Sequence, residues 1–107
     1  MKLLLDENLP RKLKTDFGTE FEVKTVRDMN WLGKKNGELL GLIVFNGFDF
    51  FVTIDKNLRH QQNLDKFDIT IFLLLAPDNR RETLEKLIVK IKELINNRDY
   101  KKLTEIM

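Results

Sequence analysis

Two short apolar runs, each ended abruptly by an acid, constrain this chain more than any other feature. Leu3-Leu4-Leu5 leads into Asp6-Glu7-Asn8 and then Leu9-Pro10. Phe50-Phe51-Val52-Thr53-Ile54 leads into Asp55-Lys56-Asn57. Continuous apolar runs of this length read as strands buried on both faces. The polar residues that follow must then sit on a rim, where the chain leaves the core. Pro10 suits the first turn of a helix, which needs no N–H at that position. A third run, Ile69 to Leu75, has the same character and is broken by Ala76-Pro77-Asp78.

The segments between these runs read mostly as helices. Leu9, Leu13 and Phe17 lie four residues apart and predict a helix from about Leu9 to Phe17, closed by Gly18. Phe21 to Val26 alternates apolar and polar residues, as an edge strand does, and ends at Arg27-Asp28. Met29 to Lys35 is a loop carrying Trp31. Asn36 is the expected N-cap of a helix running to Phe45. That helix is apolar nearly all round, which predicts deep burial, in part against a second copy in a homodimer. A polar helical turn is expected over Asn57 to Asn63. Asn79 and Glu82 have the spacing of a capping box. They precede a long helix with Leu84, Leu87, Ile88, Ile91, Leu94 and Ile95 on one stripe. The tail, 97–107, fits either a helical face or a short edge strand from Leu103 to Ile106.

Strands alternating with helices predict one α/β domain over residues 1–107, built on a mostly parallel sheet. Four strands are expected, five if the tail joins. The third strand is the most apolar and should be central. With right-handed crossovers the order becomes 2-1-3-4. The chain then reverses direction between strands one and three, and ligands of open α/β sheets bind at the carboxyl ends beside such a switch. Asp6 and Asp55 leave those two ends, on strands about 4.8 Å apart. Two carboxylates so placed can share a cation.

Composition narrows which cation. The chain has no cysteine and one histidine, His60, so thiolate and multi-histidine sites are excluded. Carboxylates, amides and water favour Mg²⁺ or Mn²⁺. Glu38, in a first helical turn on the same rim, is the expected third acid. Asn57 is the expected amide ligand, with Glu7 or Asn8 reaching through water. Bases fall on this rim as well: Arg11, Lys34, Lys35, Lys56, Arg59 and His60, with Arg80 and Arg81 opening the last helix. An acidic centre ringed by cations suits a phosphodiester, with Asn8 and the first six of these bases as nucleic-acid contacts. Each acid also has a plain structural use: Asp6 as a cap, Glu38 against the helix dipole, Asp55 in a turn. Trp31 reads as a packing residue before a base-stacking one. No apolar stretch approaches the ~20 residues of a membrane span, and a cytoplasmic protein is expected.

Four stretches carry a family resemblance: Leu5-Asp6-Glu7-Asn8-Leu9-Pro10, Thr25-Val26-Arg27-Asp28, Gly33-Lys34-Lys35-Asn36-Gly37-Glu38 and Val52-Thr53-Ile54-Asp55-Lys56-Asn57-Leu58. Together they resemble the PIN-like superfamily, and within it the small stand-alone bacterial branch of predicted nucleases. The similarity runs from Met1 to about Ile95. The resemblance implies a three-layer α/β/α sandwich and metal-dependent cleavage of RNA. It also implies kinship with the toxins of toxin–antitoxin pairs, and so an antitoxin partner. The family's acidic positions fall on Asp6, Glu38 and Asp55. Many relatives carry a further Asp where this chain has Asn57, an uncharged and weaker ligand.

Two rival functions follow from the same residues. A phosphoacceptor receiver would use Asp55, but it needs a further strand ending in Lys, which nothing after Leu75 supplies. A non-catalytic module binding RNA or protein would keep the scaffold without turnover, and Asn57 leans that way.

Overall fold

The computed structural model describes residues 1–60 and 64–107. Its strands are β1 (Lys2–Leu5), β2 (Glu22–Thr25), β3 (Phe50–Thr53), β4 (Thr70–Leu74) and β5 (Leu103–Ile106). They form one sheet, parallel throughout, in the order β2-β1-β3-β4-β5. The helices are α1 (Leu13–Phe17), α2 (Asn36–Phe45) and α3 (Arg81–Asn97). The four expected strands take their expected order, and the tail resolves as an edge strand beside β4. Among the described residues no helix is long and apolar enough to cross a membrane.

Alternation along the strands divides the core in two. Leu3, Leu5, Phe50, Val52, Phe72 and Leu74 face α1 and α3. Leu4, Phe51 and Ile71 face α2 and the loop residues Val26, Trp31 and Leu58. The sheet thus has helices on both sides. Trp31 packs edge-on against Phe48, as a core residue does. One crossover breaks the expected handedness. The β1-to-β2 and β4-to-β5 connections run in opposite directions across the sheet, yet α1 and α3 cover the same face. Their hands are therefore opposite. On that face α1 has only 5 residues, and the long apolar stripe of α3 covers the remainder. Arg81 reinforces the arrangement with two hydrogen bonds to the Asp16 carboxylate, 2.9 and 3.2 Å.

Three local expectations are corrected. The first helix begins at Leu13, not Leu9. Pro10 disfavours helical geometry at Leu9, and the chain instead makes successive turns, with Leu9 N–H bonded to Asp6 O and Leu13 N–H to Pro10 O. The second helix includes Asn36, with Lys35 at the N-cap position. Within the single chain Leu39, Leu40 and Ile43 are buried, while Phe45 is 88% exposed. The capping box at Asn79 does not form. The third helix is capped at Arg80, whose N–H bonds to Asp78 Oδ1, and Asn79 donates to the Asn8 carbonyl at 3.1 Å. The polar turn after Asp55 is a 3₁₀ segment, Lys56–His60, with Leu58 buried; the rest of that expectation, 61–63, lies outside the described residues.

Candidate metal and phosphate cleft

Register brings the two strand ends together. Leu5 pairs with Val52, and Asp6 N–H continues the ladder to Val52 O at 3.0 Å. Asp6 therefore lies beside Thr53. By the two-residue period of a strand, Asp6 points to the same side as Leu4, and Thr53 to the same side as Phe51. That is the side covered by α2. There, at the carboxyl ends of β1 and β3, a cleft of about 310 Å³ opens. Asp6, Glu7, Asn8, Asp55 and Asn57 form its polar wall, Lys34 and Lys35 its basic edge, and Leu39, Leu40, Phe51 and Leu58 its apolar floor.

The two acids are joined through Thr53. Its hydroxyl, in a fully buried side chain, donates to Asp6 Oδ2 at 2.6 Å. Thr53 Oγ1 in turn accepts the Asp55 N–H at 3.0 Å. Asp6 Oδ1 accepts the Glu7 N–H at 2.8 Å. Asp55 Oδ1 accepts the Asn57 N–H at 3.0 Å. Among the described residues neither acid has an ion-pair partner. Burial pushes the Asp6 carboxyl above its ordinary pKa; the bonds from Thr53 and Glu7 pull it back, and the charges of Glu7 and Asp55 push it up again. A buried carboxylate in that condition gains from a nearby cation.

The expected three-acid cluster does not assemble. Among the described residues no group of three or more Asp, Glu or His side chains is placed to hold a metal. Glu38 is not part of the cleft wall. Its side chain is 65% exposed and pairs at 3.3 Å with Lys34, four residues back in the loop before α2. What remains is the Asp6 and Asp55 pair at the strand ends, with Glu7 and the amides Asn8 and Asn57 on the same wall. That donor set fits a Mg²⁺-like ion, which takes one or two carboxylates and keeps several waters. Each carboxylate has spare lone pairs beyond the hydrogen bonds just named.

The nucleic-acid residues divide similarly. Asn8, Lys34 and Lys35 line the cleft; Arg11, Lys56, Arg59 and His60 do not. Arg59 is committed elsewhere, in an ion pair with Glu105 of β5. Arg81 is held by Asp16. Thr53 and the apolar floor are the residues that side-chain chemistry alone did not single out. The signal for Thr53 was present: it is the one hydroxyl in an otherwise apolar strand.

The chain matches no protein-family model, no curated protein and no solved structure. Its function is therefore argued from the cleft.

Proposed function

We propose that this protein is a metal-dependent nuclease of the PIN-like kind, acting on RNA as an endoribonuclease. One observation carries the reading. Three carboxylates, Asp6, Glu7 and Asp55, none with an ion-pair partner among the described residues, share a cleft with Lys34 and Lys35, at the carboxyl ends of adjacent parallel strands where the chain reverses direction. In this reading Asp6 and Asp55 hold one Mg²⁺ or Mn²⁺, and Asn57 offers an amide oxygen beside them. When bound, such an ion supplies positive charge to a phosphate and lowers the pKa of water. Thr53 keeps the Asp6 carboxylate turned into the cleft. Lys34 and Lys35 attract the phosphates flanking the one to be cleaved. The apolar floor excludes water from beneath the reacting group. A toxin-like role, with an antitoxin protein as partner, extends the same proposal.

The test is cleavage of end-labelled RNA in Mn²⁺ by the wild type and by Asp6→Asn. Cleavage by the wild type alone is expected. Equal cleavage by both would end the proposal. A second reading, a binding module without turnover, is favoured by two specific observations: an amide at Asn57 and the position of Glu38 outside the cleft wall. Metal-independent RNA binding with no cleavage in Mg²⁺ or Mn²⁺ would decide for it.

A further inference from the structure

Lys34 and Glu38 stand on opposite sides of a boundary. Lys34 contributes to the cleft and Glu38 does not. Yet the Lys34 Nζ lies 3.3 Å from Glu38 Oε1, with the two side chains 40% and 65% exposed. Glu38 thus pairs with one of the two cleft lysines from outside the cleft lining. Lys35, its neighbour, has no ion-pair partner among the described residues. A phosphate entering the cleft must compete with a carboxylate for Lys34 and meets no such competitor at Lys35. The contact is weak enough to be exchanged, since exposed ion pairs are marginal.

We propose that Glu38 is an internal competitor for the nucleic-acid phosphate, occupying the Lys34 ammonium until a polyanion displaces it, and is not a third metal ligand. The inference rests on the nuclease reading for the identity of the polyanion. Its chemistry is specific: the negative group on Glu38 stands in for the phosphate oxygen that Lys34 would otherwise contact. Removing that carboxylate frees one lysine and deletes one repulsive charge near the bound strand. At low salt this should tighten RNA binding about threefold. Metal affinity should not change, because Asp6 and Asp55 are untouched.

The experiment uses a fluorescein-labelled single-stranded RNA oligonucleotide in EDTA at low salt, read by anisotropy. The proteins are the wild type, Glu38→Gln, Lys34→Gln and the double variant. Mn²⁺ affinity of each is measured separately by electron paramagnetic resonance. Expected are about threefold tighter RNA binding for Glu38→Gln, loss of that gain in the Lys34→Gln background, and Mn²⁺ affinity within about twofold of wild type. A loss of Mn²⁺ affinity of tenfold or so in Glu38→Gln would make Glu38 a ligand and overturn the inference. So would an undiminished gain without Lys34, which marks a general charge effect. RNA binding identical in all four proteins overturns it while leaving the metal reading standing. A wild type that binds neither RNA nor Mn²⁺ removes the nuclease reading and this inference with it.

Discussion

Two strand ends in this molecule use the same chemistry, a threonine hydroxyl and an aspartate a few residues on, to opposite effect. At the end of β2, Thr25 N–H donates to Asp28 Oδ2 and Asp28 N–H donates to Thr25 Oγ1, both at 2.9 Å. Lys14 closes the charge of Asp28 with an ion pair. At the end of β3 the Thr53 hydroxyl reaches across to the neighbouring strand and Asp6, and Asp55 accepts the Asn57 N–H. No cation neutralises either acid there among the described residues. The electrostatics part accordingly. For Asp28, partial burial pushes its pKa up, but the hydrogen bonds and charge of Lys14 and the bonds from Thr25 outweigh it, and the net shift is downward. For Asp6 burial wins and the shift is upward. A closed turn with its own counter-ion is structure. An open one, with a second acid beside it and a cleft in front, has capacity left for a ligand.

The difference can be broken most forcefully at Asp6. Asp6→Asn should lower Mn²⁺-dependent RNA cleavage by more than about a hundredfold, given that even outer partners of metal ligands are worth about 10–100-fold. Asp28→Asn should leave cleavage unchanged. Initial rates on labelled RNA test both.

Thr53→Val comes next. It removes the donor to a buried carboxylate and should cost about 1–3 kcal/mol at neutral pH, measured by urea unfolding. Mn²⁺ affinity should fall about tenfold, and Thr53→Ser, which restores the hydroxyl, should recover most of it.

The two aspartates should also give opposite pH signatures. The raised pKa of Asp6 means that its burial costs nothing below pH 3.8, and that the penalty appears as pH rises through its folded-state value. Asp6→Asn should therefore gain stability relative to wild type as pH rises from about 4 to 7. Mn²⁺ should shrink that gain by stabilising the wild type. The lowered pKa of Asp28 contributes stability above pH 3.8 that is lost as pH falls through its folded-state value. The Asp6→Asn gain should therefore grow from about pH 4 to 7, while the Asp28→Asn deficit holds steady over that range and closes only below pH 3.8, as denaturation midpoints across pH would show. The smallest effect belongs to Asp28→Asn at neutral pH. Its exposed ion pair is worth at most about 1 kcal/mol, visible as a slight fall in the urea midpoint.

How much of this was legible in the sequence depends on the distance over which the deciding contacts act. The strand runs at Leu3 to Leu5, Phe50 to Ile54 and Ile69 to Leu75 announce themselves, because a strand buried on both faces tolerates little but apolar side chains. Their order followed from burial and crossover direction, and with it the meeting of Asp6 and Asp55 in one cleft. Leu103-Thr104-Glu105-Ile106 was ambiguous because four residues cannot separate a period of 2 from one of 3.6. The free edge of β4 decided it, and that edge is invisible in the local pattern. The start of α1 moved because Pro10 acts on the residue before it as well as on its own backbone. The fates of Arg59 and Arg81 lay in partners 46 and 65 residues away, which no motif reveals. Lys34 and Glu38 are legible as an i,i+4 pair, but a carboxylate on a rim suits a metal and a neighbouring lysine equally, and only the side-chain geometry separates the two.

One measurement bears most directly on the carboxylate pair. Mn²⁺ binding should be titrated by electron paramagnetic resonance for the wild type, Asp6→Asn, Asp55→Asn and the double variant. One site is expected in the wild type, weakened at least about tenfold by either single change, with the double variant little worse than the singles, since one broken site cannot be broken twice. Mn²⁺ bound with wild-type affinity by both single variants would contradict the claim that these two strand ends hold a shared cation.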